Sequence, residues 1–154
     1  MKYKFNGWQR AGEVRAINNE YAGIETALDL YDALCDVWCV ETCAPRLREF
    51  WSEENKTCGQ CSITAFLAQD IFGGEVYAVE VEGAGLHCYN RVGDVVFDLA
   101  SEQFGNRAAS LVYDCSLKQD REYEQHFANQ EKRARYELLK ERLKKETKVT
   151  RIVL

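Results

Sequence analysis

A cysteine lies where a polar loop turns into an apolar-patterned helix. Cys61 follows the loop 57–60 (Thr-Cys-Gly-Gln) and precedes the run Ser62–Ile71. Backbone N–H groups at a helix start carry partial positive charge, so a thiol there can ionise below its ordinary pKa of about 8.5. His87 and Asp98 lie downstream. Together the three residue types are the nucleophile, base and orienting carboxylate of cysteine-dependent acyl transfer.

The residues after this helix predict a β-hairpin that brings the histidine and the aspartate together. If residues 93–94 form a two-residue turn, Val92 pairs with Val95 and the register of both strands is fixed. His87 and Asp98 then lie on one sheet face as diagonal neighbours, within side-chain reach. We therefore predict that the aspartate orients the histidine, which exchanges a proton with the cysteine.

Cys58 and Cys61 also form a Cys-x-x-Cys pair, which leaves a second interpretation open. Such pairs bind zinc or carry out redox chemistry in many proteins. A thioredoxin-like site needs a βαβ context, and a zinc site needs two further ligands, which Cys35 and Cys39 would supply only if the fold brings them near. We predict no metal and no cofactor, with zinc or redox chemistry as the alternative.

Packing explains the cysteine stripe below at least as well as metal binding does, and it is the favoured role for Cys88 and for the second histidine. Cys35, Cys39 and Cys43 recur every four residues and would form one stripe on a helix. Cys88 would point to the sheet face opposite its histidine neighbour, into the core. His126 lies among charged residues, so we predict that it packs at the surface.

The length and hydrophobic content of the chain limit it to one core. With 154 residues, 46% of them hydrophobic, we predict a single domain over residues 1–154. Its parts are a helical region at about 1–56, a catalytic-like core at about 57–115 and a closing helix at about 118–146. No signal peptide or bilayer-spanning segment is apparent, and seven cysteines do not suggest a disulfide framework. These features predict a cytoplasmic protein.

Charge is distributed unevenly along the chain. Residues 132–151 contain nine lysines or arginines and three glutamates, whereas the rest of the chain is acidic and the net charge is −5. No aromatic-interleaved basic patch or nucleic-acid-binding motif accompanies the basic segment. We therefore predict a solvated helix that complements an acidic body, with no nucleic-acid and no membrane partner.

Hydrophobic periodicity predicts helices first, a small antiparallel sheet next and a helix last, which is an α+β arrangement. The predicted helices cover Ala22 to about Cys43, Pro45–Trp51, Cys61–Phe72 and Lys118 to about Glu146. The predicted strands cover Glu75–Val81, Leu86–Val92, Val95–Leu99 and Leu111–Tyr113.

Several segments together resemble the YunG-like family of small bacterial proteins. The resemblance is carried by Asn55–Ala65, Gln69-Asp70, Phe72–Gly74, His87–Arg91, Phe97–Leu99, Gln103-Phe104 and Arg135–Arg142. The ordered combination is more specific than any single segment, and it covers about residues 55–142.

That family is in turn similar to the papain-like and transglutaminase-like cysteine enzymes. The resemblance implies a papain-like core with Cys61 as nucleophile, His87 as base and acid, and Asp98 as orienting group. It also implies an amide six residues before the nucleophile, here Asn55, that helps to bind the oxyanion. Gln60 and the backbone N–H of the nucleophile are the alternative donors.

The sequence thus predicts a cysteine-dependent hydrolase or acyl-transfer enzyme that attacks an amide, peptide or thioester through Cys61. Its substrate would be a small molecule or a peptide. One alternative is a non-enzymatic module that binds a peptide or protein on a papain-like scaffold, because fold alone does not determine function. The other alternative is the zinc or redox site at Cys58 and Cys61.

Overall fold

The computed structural model describes residues 2–119 and 123–153. The α-helices in these ranges are α1 (Trp8–Ala11), α2 (Ala27–Val37), α3 (Cys61–Phe72), α4 (Tyr123–Ala128) and α5 (Gln130–Val153). Shorter 3₁₀ helices cover Val40–Thr42, Pro45–Phe50 and Ser101–Ser110. The strands are β1 (Glu75–Val81), β2 (Gly85–Val92), β3 (Val95–Phe97) and β4 (Leu117–Lys118).

The four strands form one antiparallel sheet in the order β3-β2-β1-β4. Val92 pairs with Val95, which confirms the predicted hairpin register. The strand β3 ends before the predicted Leu99, because Asp98 forms an isolated bridge with Asn6 instead of continuing the hairpin. Helices together with a small antiparallel sheet confirm the α+β class.

The helix α3 packs against the sheet and positions the candidate nucleophile. Its bounds are the predicted ones, and eight of its twelve residues are buried. Asn90 on β2 donates a hydrogen bond from Nδ2 to the Ala65 carbonyl at 2.8 Å. Trp38 donates from Nε1 to Thr64 Oγ1 at 3.0 Å, which ties the end of α2 to the same helix. These buried bonds fix the start of α3 relative to β2.

The first long helix is shorter than predicted. Thr26 and Asp29 form a capping box, in which each side chain accepts a hydrogen bond from the backbone N–H of the other, so α2 begins five residues after Ala22. Beyond Val37 the backbone leaves the helical conformation and continues as 3₁₀ turns. The three predicted stripe cysteines therefore do not share one helix.

The closing region is not the single helix predicted from Lys118. Leu117–Lys118 pairs with β1 as the edge strand β4, and residues 120–122 lie outside the described part of the chain. Asn129 then separates α4 from α5, because its Oδ1 accepts the Lys132 N–H at 3.0 Å and caps the second helix. The predicted strand Leu111–Tyr113 is irregular and lies outside the sheet.

The basic helix α5 packs one face on the body and binds backbone carbonyls with its arginines. Arg142 donates from Nε to the Val37 carbonyl at 2.9 Å, and Arg135 donates to the Thr42 carbonyl at 3.3 Å. Both carbonyls end helical segments and need a donor from outside. Its buried apolar residues include Tyr136, Leu139 and Leu143. Within residues 2–119 and 123–153, no helix combines the length and apolarity needed to cross a bilayer.

Candidate active site

Cys61 is the first residue of α3, and its side chain is partly exposed. No side chain caps this helix, so the first-turn N–H groups have no side-chain acceptor. Two residues earlier, Gly59 has a φ of +70°, and a Cβ there would lie 2.5 Å from Cys43 Sγ and 2.9 Å from the Ala44 nitrogen. Glycine is therefore required for the loop to pass this close before it enters the helix.

His87 on β2 and Asp98 just after β3 are hydrogen-bonded, the contact that the hairpin register predicts. Nε2 lies 2.6 Å from Oδ2, and the two side chains are 3% and 1% exposed. The Phe104 ring packs edge-on against the imidazole, with 4.7 Å between ring centroids. Because Nε2 faces the carboxylate, Nδ1 is the nitrogen that remains for Cys61.

The Asp98 carboxylate accepts two further hydrogen bonds. The Tyr113 hydroxyl donates to Oδ2 at 2.7 Å, and the Ala100 N–H donates to Oδ1 at 3.1 Å. The backbone of Asp98 is held as well, since its N–H donates to the Asn6 carbonyl at 2.9 Å. A carboxylate fixed at both oxygens gives the imidazole of His87 one orientation.

The surroundings of Cys61 and His87 favour a thiolate and an imidazolium. Hydrogen bonding with Cys88, aided by the charge of His87, outweighs burial and holds the pKa of Cys61 well below that of an ordinary cysteine. Burial opposes the charged form of His87, but the negative charges of Asp98 and Cys61 outweigh it and raise the pKa of His87 to about 10. Both shifts favour the ion pair that a thiol nucleophile uses at neutral pH.

Cys88, which we predicted to lie in the core, is a neighbour of the candidate nucleophile Cys61. It is 4% exposed and lies on the face of β2 that meets α3. Hydrogen bonding with Cys61, reinforced by burial, raises the pKa of the Cys88 thiol well above that of an ordinary cysteine. Strand alternation predicts the face correctly, but it does not predict that the start of α3 covers this position.

Cys61, His87 and Cys88 line a cavity of about 450 Å³. Its apolar walls include Ala44, Pro45, Leu47, Leu86 and Phe104. Its charged residues are Arg46, Glu131, Lys132 and Arg135, which come from the second 3₁₀ helix and from α5. The cavity therefore combines a thiol, a buried imidazole, an apolar wall and a basic side.

His126, which we predicted to pack at the surface, also lines this cavity. Its ring is partly buried and packs on Phe66 at 5.1 Å between centroids. His126 lies on α4, and the break between α4 and α5 was not predicted by sequence periodicity.

The two amides considered for oxyanion binding lie elsewhere. Asn55 borders a separate cavity on the side of Lys56 and Glu102. Gln60 is fully buried, and its Nε2 donates to the Cys39 carbonyl at 3.1 Å. Its Oε1 has no hydrogen-bond partner among the described residues. The structure thus brings Cys61, His87 and Asp98 together, and neither amide lines the cavity of Cys61 and His87.

Cys58 interacts with Cys43 on the other side of the loop. Burial is the main cause that raises the pKa of both thiols, that of Cys43 to about 11. Across the described ranges 2–119 and 123–153, no three His, Cys, Asp or Glu side chains are placed to hold a metal ion together.

Comparison with known proteins identifies relatives of this chain. The "Uncharacterized protein YunG" of Bacillus subtilis (strain 168) is 46% identical over 54 residues, which are 35% of this chain and 46% of that protein. The match therefore spans less than half the length of that relative. No solved structure shows significant similarity to the chain. A family model described as YunG protein matches residues 26–148, a range that includes Cys61, His87 and Asp98, so the chain belongs to the YunG family.

Proposed function

We propose that this protein is a cysteine-dependent hydrolase or acyl-transfer enzyme on a papain-like or transglutaminase-like core. The observation that carries the proposal is the buried 2.6 Å contact between His87 Nε2 and Asp98 Oδ2, beside a cysteine that starts a helix. If His87 had only a structural role, it would not need a neighbouring thiol with a lowered pKa, such as that of Cys61. Here Cys61 and His87 line one cavity and Asp98 is hydrogen-bonded to His87, which supports the roles of nucleophile, base and orienting group.

In the proposed reaction, the Cys61 thiolate attacks a substrate carbonyl and forms a tetrahedral intermediate. The backbone N–H of Cys61 at the uncapped helix start is the candidate donor to its oxyanion. The imidazolium of His87 then protonates the leaving amine or thiol, and an acyl-thioester remains on the cysteine. Water or another nucleophile gives its proton to the neutral imidazole, attacks the thioester and releases the product with the thiolate.

The cavity has room for a small molecule or for part of a peptide. Its volume of about 450 Å³ lies within the range of pockets that enclose small ligands. Leu47, Leu86 and Phe104 offer apolar contacts to the acyl group or to a neighbouring side chain. Amides, peptides and thioesters all present the carbonyl that this chemistry needs.

The test is to trap the acyl-enzyme. The protein is mixed with a panel of acyl thioesters and peptide esters, quenched in acid and mapped by peptide mass spectrometry. We expect one acyl group on Cys61, none in Cys61→Ala and an unchanged adduct in the matched control Cys58→Ala. Full turnover by Cys61→Ala would overturn the proposal. A stoichiometric peptide complex that Cys61→Ala leaves intact, without any acyl adduct, would instead identify a binding module.

A further inference from the structure

We propose that Lys132, supported by Arg46, forms a subsite that binds an anionic group of the substrate, a carboxylate or a phosphate, beside Cys61. The inference rests on the proposed function, because the anion belongs to the molecule that is acylated onto the cysteine. It goes beyond the proposed function because it assigns anionic substrates to the site and a substrate-binding role to Lys132 on α5.

Lys132 is held at the wall of the cavity by the start of α5. It is the third residue of this helix, and its backbone N–H is bound by the Asn129 side chain at 3.0 Å. The side chain is partly buried and lines the same cavity as Cys61 and Cys88. Its position therefore follows from a capped helix and not from a flexible surface loop.

A chain of hydrogen bonds orients the ammonium group. Gln119 directs its Nε2 to the Leu117 carbonyl, so its Oε1, 3.1 Å from His126 Nε2, accepts a hydrogen from that nitrogen. His126 is then the neutral tautomer with a lone pair on Nδ1. Lys132 Nζ lies 2.9 Å from this Nδ1 and donates to it. One of its three N–H bonds is used, and the partner carries no charge.

The positive charge of this wall is incompletely balanced. Among the described residues, neither Lys132 nor Arg46 forms an ion pair with a carboxylate, whereas Arg135 is bound by Glu131 and by the Thr42 carbonyl. Burial lowers the pKa of Lys132, and the negative charge of the Cys61 thiolate acts against that effect. A partly buried ammonium next to an imidazole gains most from a ligand that supplies the missing anion.

Two alkylating reagents test this subsite without knowledge of the natural substrate. Iodoacetate and iodoacetamide share the carbon that the thiolate attacks and the iodide that leaves, but only iodoacetate carries a carboxylate. The measured quantity is the ratio of their rate constants at Cys61, obtained by peptide mass mapping. We expect Lys132→Gln to lower this ratio roughly five- to tenfold, because the local positive potential that attracts the anion is lost.

Two controls separate the subsite from a general charge effect. Lys132→Arg keeps the charge and should keep most of the ratio. Lys145→Gln removes the same charge from an exposed position on the same helix, where the side chain is 74% exposed, and should leave the ratio unchanged. An equal fall in both glutamine variants would assign the effect to net charge and overturn the subsite.

A second measurement does not depend on the thiol. Inorganic phosphate and succinate are titrated into Cys61→Ala, with and without Lys132→Gln, and binding is followed by NMR. We expect Lys132→Gln to weaken binding of one of the two anions at least fivefold, and the anion affected identifies the group. Fast reaction of Cys61 with iodoacetamide, without any effect of Lys132 on ratio or binding, overturns the subsite and leaves the proposed function standing. If Cys61 is alkylated slowly but anion binding still depends on Lys132, the proposed function is overturned and the subsite stands.

Discussion

Two pairs of neighbouring thiols lie on either side of one loop, and their surroundings differ. Cys43 and Cys58 donate hydrogen bonds to backbone carbonyls, at 3.4 Å and 3.8 Å, and burial raises the pKa of both. Cys61 and Cys88 lie beside the imidazole of His87, and there the pKa of Cys61 is lowered. A carbonyl can only accept, so it favours the protonated thiol, whereas the hydrogen bond with Cys88 and the charge of the imidazolium favour the Cys61 thiolate. The hydrogen-bond partner and the neighbouring charge thus decide which thiol ionises.

The largest effect is expected when the imidazole that makes Cys61 more reactive than Cys43 and Cys58 is removed. In native protein at neutral pH, iodoacetamide should modify Cys61 first, while Cys43 and Cys58 stay protected. His87→Ala should slow the reaction of Cys61 by about 100-fold, because the charge that stabilises the thiolate is lost. Time-resolved alkylation with peptide mapping measures each cysteine separately. Equal rates for Cys58 and Cys61 in the native protein would contradict the comparison.

The pH dependence of the alkylation of Cys61 tests whether a thiolate–imidazolium pair causes its reactivity. The rate at Cys61 should fall at low pH, where the thiolate is protonated, and stay level across neutral pH. A second rise is expected near pH 10, because His87 loses its proton there and frees a more nucleophilic thiolate. In His87→Ala we expect a single inflection at higher pH than the first one of the native protein, closer to the ordinary cysteine pKa of about 8.5. A single inflection of this kind in the native protein would show that no ion pair forms.

The next largest effect is expected on stability, when Gly59 in the loop between the two thiol pairs is replaced. Gly59→Ala should destabilise the protein by about 2–3 kcal/mol, because the new Cβ meets Cys43 Sγ and the Ala44 nitrogen in a left-handed conformation. Gly83→Ala is the matched control: its φ is +81°, but nothing lies within 4 Å of the added Cβ. There we expect a loss of about 1 kcal/mol. Urea unfolding measures both, and equal losses would mean that the close approach is unimportant.

Tyr113→Phe should give the smallest effect. It removes one donor from Asp98 Oδ2 and leaves the bonds from His87 and Ala100, so we expect a loss of about 1 kcal/mol in stability. The carboxylate charge then acts more strongly on the imidazole, so the pKa of His87 should rise further, as read by NMR titration.

A remote tyrosine provides the control for that variant. Tyr3→Phe removes a comparable hydroxyl bond, 2.9 Å long, to the Asp32 carboxylate. It should lower stability without moving the His87 titration. A pKa of His87 that is identical in native protein and Tyr113→Phe would show that Tyr113 holds the fold only.

The parts of the site that could be predicted depend on local pattern. The helix α3 has a continuous apolar period and a following glycine pair, so both of its ends were predicted correctly. A two-residue turn fixes the register of β2 and β3, and the pairing of Val92 with Val95 follows from it. The contact between His87 and Asp98 was predictable for the same reason.

The residues that were missed reach the site from segments without such a pattern. Tyr113 lies on an irregular stretch, and Lys132 and His126 depend on where Asn129 divides two helices. Cys88 was assigned to the correct sheet face, but the element that covers this face is a tertiary feature. Asn55 was chosen by its distance along the chain, and that distance does not determine where a loop directs its side chain.

The hydrogen bond from the Asp98 N–H to the Asn6 carbonyl shows which part of the chain the site depends on. Asn6 lies outside residues 26–148, the part of the chain that the family model matches. A fragment trimmed to that match would lose the acceptor for the Asp98 N–H, together with the Asn6 N–H bond to Ser101 Oγ at 2.9 Å. The residues that hold the site in place thus extend beyond the range that the family model matches. A design that moves the site into another protein must include the N-terminal segment that contains Asn6.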